Sequence, residues 1–452
     1  TMRPDKDTLA ISPSGHFYIH FDITGSAAPD LTDSDGNGVP DYVDEVGIIA
    51  DSARHVLVDE LGYNDEPFDG DGGYDIFLIS YGPKAYGHCI HEGNGISYLK
   101  IDNDYLGYDS NFSQTPLEIM QIALVHEYFH AIQYGYQENH GGGSGSDAYF
   151  YEMSSMWIED VIVPESNDYL EEIWVGRLLD NPEGKFDNRW PQCTNCDGEG
   201  YELALFGHYL SSHLYNEGSS DEKQTTIMRD IWTEYSNSYI NSNNYDKPLV
   251  VIDRVLQSEY QISFIEAWVD FMTRNLYNGL YENMDNEFYY YPDQALIDPI
   301  RTSKASIDNS ISLTLRLDNK SIEILSYEME DIVAILDIRH DDGFFNFDFI
   351  GNIVFVSDDI GNNNFEIAKD KVTSQLFPDD IVHLIYATES LSQDLTIDIT
   401  KVVIIAKSIK LYAIVFLLDM TLAYLMKTFA STKPRRAETS KLKIKPEIGK
   451  TL

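Results

Sequence analysis

Residues 115–136 read TPLEIMQIALVHEYFHAIQYGY, and the fold turns on what this stretch becomes. Thr115, Pro116 and Glu118 spell a helix start: a hydroxyl cap, proline at the first helical position and a glutamate that can reach back to the cap amide. The apolar residues that follow predict a helix to about Gly135. Within it lies His126-Glu127-Tyr128-Phe129-His130. Positions i and i+4 share one face with Cβ atoms roughly 5–6 Å apart. That lets two imidazoles reach one Zn²⁺ at about 2.0–2.1 Å each. Glu127 rides on the same helix and can take a proton from a water that zinc has made acidic. The competing reading is a helix with two core-facing histidines.

A catalytic zinc keeps three protein ligands and an open fourth position. A third histidine six residues after His130 is missing, since position 133 is Gln and position 136 is Tyr. The next source is the helix expected over residues 148–161, started by Asp147 and ended by Pro164. Glu152 on that helix can fold back over the histidine face, with His140 and Asp147 as rivals at the intervening Gly/Ser loop. Glu159 lies two turns beyond Glu152 and is a candidate to support a ligand from behind. Otherwise Glu159 and Asp160 read as a solvated helix end.

A second cation pattern precedes this one. Asp33, Asp35, Asn37, Gly38, Asp41 and Asp44 occupy positions 1, 3, 5, 6, 9 and 12 of an EF-hand-like loop, with Val39 offering a main-chain carbonyl at position 7. Position 12 is Asp where Glu is usual, and helix only follows the loop, so a structural Ca²⁺ is the expectation and an acidic surface turn the alternative. Asp69-Gly70-Asp71 is a weaker cation candidate that reads more simply as a turn.

At these residues the chain resembles the gluzincin-type zinc metallopeptidases. It is similar, more narrowly, to a family of secreted bacterial and archaeal metallopeptidases. That family carries D-x-D-x-N-G-V-P-D-Y-V-D, then H-E-x-x-H-A-I-Q, then E-x-x-x-x-W-x-E-D. Here these are Asp33 to Asp44, His126 to Gln133, and Glu152 to Asp160. The resemblance spans roughly residues 15–280. It implies zinc on His126, His130 and Glu152, with Glu127 as general base and acid in peptide hydrolysis. The thermolysin-like pattern has an Asp four residues after the glutamate ligand, where this chain has Met156, so another residue must orient the imidazole. Tyr201 and His208 are transition-state donors by residue type only. Members of the group add substrate to an edge strand, for which residues 95–102 are the expectation.

The remaining sequence bounds the setting. Thirty-one Lys+Arg against 75 Asp+Glu give a net charge of −44 over 452 residues. Such a surplus excludes nucleic acid and anionic lipid as partners of the main body, because both are polyanions. Residues 401–452 run the other way, with 11 basic and 3 acidic side chains. There an apolar run, residues 402–426, precedes a basic tail. It reads as a single-pass membrane anchor with a cytoplasmic C-terminus, or as a buried helix or a tail peculiar to this chain. Residues 1–10 are too polar for a signal peptide, as a mature or truncated start would be. Cys193 and Cys196 are expected to pair outside a cell, and Cys89 to be a lone buried thiol.

Strands are expected over residues 11–25, 75–81 and 95–102, and helices over 42–61 and much of 201–282. Residues 300–400 hold several short β-rich runs between Asp/Asn/Gly turns. The expected class is therefore α+β: a zincin-like metallopeptidase domain at 1–299, a β-sandwich at 300–400, and the apolar segment with its tail at 401–452. The function expected is a secreted or cell-surface zinc endopeptidase acting on protein or peptide substrates. The alternative is a non-catalytic surface binding or adhesion protein that keeps a metallopeptidase fold.

Overall fold

The computed structural model describes residues 3–108, 114–137, 147–180 apart from 171, residue 186, residues 200–214 and most of 226–300. It also describes, as backbone alone, strands between 303 and 401. Cys193, Cys196, His140, the Gly/Ser loop and residues 402–426 lie outside the described residues. Among those described, no helix is long and apolar enough to cross a membrane.

The first part is mixed α+β. Strands β1 (Thr8–Ile11), β2 (Phe17–Phe21), β3 (Tyr74–Ile79), β4 (Gly87–Gly93) and β5 (Ile96–Asp102) form one sheet in the order β1-β2-β3-β5-β4. β2, β3 and β5 run parallel, while β1 and β4 are antiparallel edges. In β2 the alternation works as expected: Phe17, Ile19 and Phe21 are buried, and Tyr18 and His20 face the other way.

Two expectations are corrected here. Residues 11–25 are not one strand. The chain turns back at Ser12, which bonds Phe17 and, with Ser14, the carboxylate of Asp51, and Gly15 takes the left-handed conformation the turn needs. Residues 95–102 are not the edge either. β5 is paired on both sides, to β3 and to β4, so among the described residues the edge on this side of the sheet is β4.

Eight α-helices are described: α1 (Asp41–Arg54), α2 (Pro116–Tyr136), α3 (Ala148–Ile162), α4 (Glu172–Leu179), α5 (Ala204–His208), α6 (Thr226–Ser242), α7 (Pro248–Val255) and α8 (Phe264–Asn275). α2 lies against β4 and β5, with α1, α3 and α6 packed on it. Every residue from Ile122 to Gln133 is buried. Twelve consecutive residues exceed three turns, so this helix is enclosed around its whole circumference, not amphipathic. Its start is as read: Thr115 Oγ1 accepts from the Glu118 amide and Glu118 accepts from the Thr115 amide. Beyond residue 300 the described strands pair into two sheets, of five and four strands.

Candidate metal centre

The two histidines leave α2 on one face, as their spacing requires. Their rings meet edge to face, 4.7 Å between centroids, with the two Nε2 atoms 3.0 Å apart. α3 brings Glu152 over them: its Oε2 lies 3.2 Å from His126 Nε2 and 3.5 Å from His130 Nε2. These three side chains form the convergent group whose ligand atoms lie within 4.8 Å of one another. Of the rivals, Asp147 accepts a hydrogen bond from Tyr235 and His140 lies outside the described residues.

What makes the group fit a metal is how the far side of each imidazole is held. His126 Nδ1 bonds Glu159 Oε1. His130 Nδ1 bonds Gln133 Oε1 at 2.7 Å. An Nδ1–H donated outward by each ring would leave both Nε2 lone pairs facing inward toward Glu152, the tautomer that ligation through Nε2 requires. Gln133 is itself pinned: its Nε2 lies within 3.1 Å of Tyr151 O, Ser154 Oγ and Ser155 Oγ on α3. Gln133 and Glu159 thus replace the support that Met156 cannot give. Glu159 and Asp160 are both buried, not a solvated helix end. Gln133 was absent from the expected set, although its place three residues after His130 puts it on the same helix face.

Charges follow the geometry. Burial would raise the Glu152 carboxyl, but attraction to the imidazoles of His130 and His126 in their protonated forms outweighs it and holds the carboxyl well below the usual carboxylate range; a bound cation would take the place of those protons. Burial pushes Glu159 up to about 7 in spite of His126. Asp160, one residue on, is driven up to about 8 by burial and by Asp293. Its Oδ2 lies 3.4 Å from His208 Nε2, and burial takes that imidazole down to about 3. Burial therefore disfavours the charged form of both members of this deep pair.

Glu127 points to the sheet. Its Oε2 accepts a 2.5 Å hydrogen bond from the Cys89 amide on β4. The ring of Tyr201 lies 5.8 Å from that of His126, near Glu152, Glu159 and Glu127. The turn that delivers it begins at Gly200, at φ +106°, where a Cβ would sit 2.2 Å from Tyr149 O. Of the two donors named by residue type, Tyr201 reaches the cluster, while His208 faces Asp160 and Tyr169.

The acidic loop folds around its own amides. Asp33, Asp35 and Asp41 bring carboxylate oxygens within 4.8 Å of one another on an exposed surface. Asp33 accepts from the amides of Gly36, Asn37 and Gly38, and Asp41 from Ser34. Asn37 Nδ2 bonds Asp35 and Asp44, and Val39 N bonds the Asn37 side chain. At the other acidic turn, the Arg3 guanidinium sits among Asp69, Asp71, Asp75 and Glu92. An internal cation thus already sits in that cluster and offsets part of its negative charge. Cys89 is an unpaired, partly buried thiol 3.8 Å from Tyr74 OH.

Compared with known proteins, the chain matches no family model and no curated protein.

Proposed function

We propose that the chain is a zinc-dependent peptidase of gluzincin type, with zinc held by His126, His130 and Glu152. One observation carries the reading: two Nε2 atoms and a carboxylate oxygen converge while both Nδ1 atoms are bound from behind. Zinc there would supply Lewis acidity and a water with a pKa near ~7. Glu127, next to a ligand on the same helix, takes the proton from the attacking water and returns it to the leaving amine. Tyr201, whose ring lies 5.8 Å from that of His126, would donate to the oxygen on which negative charge develops. Apart from the Cys89 amide, which Glu127 takes, the outer edge of β4 would offer main-chain groups to an extended peptide.

The same reading assigns the Asp33–Asp44 stretch to a structural Ca²⁺, residues 300–400 to a β-sandwich, and the protein to the outside of a cell. Cys193 and Cys196 then form a disulfide, and residues 402–426 attach the chain to a membrane.

The test is direct. Zinc measured by elemental analysis binds wild type and is lost in Glu152→Ala. Wild type digests casein or gelatin, and Glu127→Gln abolishes digestion with zinc retained. Zinc retention with no hydrolysis of any peptide would favour the surface binding protein instead. Absence of bound metal would end the peptidase reading and leave the surface protein.

A further inference from the structure

The first residue of β4 is a glycine whose backbone does not need one. Gly87 is absent from the positive-φ residues, unlike its neighbours Gly82, Gly93 and Gly95. Space is what it provides. A Cβ at this position would lie 2.8 Å from Glu127 Cγ, 3.3 Å from Glu127 Oε1 and 3.1 Å from the Lys100 carbonyl on β5. The first distance is shorter than carbon atoms tolerate, and the Lys100 carbonyl belongs to a paired strand that cannot retreat. Two residues along the same strand, the Cys89 amide donates to Glu127 Oε2 at 2.5 Å.

We infer that Gly87 and the Cys89 amide form a slot in the sheet edge that fixes the Glu127 carboxylate beside the metal ligands, with Gly87 as a positioning residue for the general base. The glycine lets the side chain lie against the strand, and the amide holds one carboxylate oxygen by a charge-assisted bond. The other oxygen, Oε1, is left to accept a proton. A carboxylate held this way loses little freedom on reaching the transition state, whereas one displaced by about 1 Å can cost on the order of 10²-fold in rate. The catalytic arm of this inference rests on the peptidase reading; the slot itself does not.

The experiment uses zinc-loaded full-length protein labelled with ¹⁵N-cysteine, which gives three amide signals for three cysteines. Cys89 is assigned by the signal that disappears in Cys89→Ser. A short bond to a carboxylate places its amide proton far downfield. Glu127→Gln and Gly87→Ala should each move it upfield. In Gly87→Ala zinc content stays as in wild type, kcat falls about 10²-fold and KM stays within about threefold. A Cys89 signal that ignores Glu127→Gln overturns the slot, and the Glu127→Gln arm decides alone if Gly87→Ala does not fold. A folded Gly87→Ala protein with wild-type kcat, or with only KM raised, overturns the positioning role. If wild type hydrolyses no peptide but the amide responds to both substitutions, the slot stands and the peptidase reading falls.

Discussion

Replacing Gln133 by leucine isolates the support behind His130. Gln133 is fully buried, accepts from His130 Nδ1 at 2.7 Å and fans its amide onto Tyr151 O, Ser154 Oγ and Ser155 Oγ. Leucine has a similar reach and none of these bonds. The His130 N–H then keeps only Ser155 Oγ, at 3.3 Å, and a buried donor left without a good partner costs roughly 1–3 kcal/mol. The ring also loses what fixes its tautomer, for which a 10–100-fold loss of metal affinity is the usual penalty, or about 1.4–2.7 kcal/mol. Competition against a chelator of known zinc affinity reads the second effect, and thermal unfolding of the metal-free protein reads the first. Gln133→Glu keeps an acceptor for His130 but sets a carboxylate against the Tyr151 carbonyl, so it should retain more affinity than Gln133→Leu while still losing stability. If Gln133→Leu binds zinc as wild type does, His130 is not oriented by Gln133 and the site must be held some other way.

Other perturbations follow from the same geometry. Asp160 binds its proton up to about pH 8 in the fold, against a usual value of 3.8. The folded state thus carries the extra proton between those values, and this residue's contribution to stability falls as pH rises through that window. Asp160→Asn should therefore unfold at a higher temperature than wild type at pH 8.5 and near the wild-type temperature at pH 4; an equal gap at both would refute the assignment. Gly200→Ala drives a methyl group into Tyr149 O and asks alanine to adopt φ +106°; soluble, fully stable protein from that variant would show that the Tyr201 turn is laid differently. Calcium at ~100 times its dissociation constant should add about 2.7 kcal/mol to stability, a gain that Asp35→Ala largely removes; no response of wild type to calcium would dismiss the ion. Thr115→Ala should cost about 1 kcal/mol in chemical denaturation, and no change would mean that the α2 cap is not holding the helix.

The parts of the fold that could be read from the residues are those written in local chemistry. The α2 cap, its length and its i, i+4 histidines depend only on near neighbours, and Glu152 needed one helix to fold back on another. β4 could not be read in this way. GHCIHEG has two glycines and two histidines, and it is a strand only because β5 pairs with it and α2 covers it. The same reason hid the sheet order, and hence which strand is free. Glu159 and Asp160 sit where a polar helix end would ordinarily meet water; it takes the packing of α5 on α3 and the imidazole of His126 to bury them. Gln133 was readable in principle, but its value comes from Tyr151, Ser154 and Ser155, about twenty residues away on α3.

The enclosure of α2 has a consequence for handling the protein. Small zinc modules fall apart when chelated because the ion is their core. Here protein encloses the rod on every side, and its atoms alone bury Leu124, Val125, Phe129 and Ile132. If the proposed zinc binds at His126, His130 and Glu152, it should therefore be a detachable part. Chelation should strip it and cobalt or cadmium replace it as a spectroscopic reporter, without refolding the chain around it.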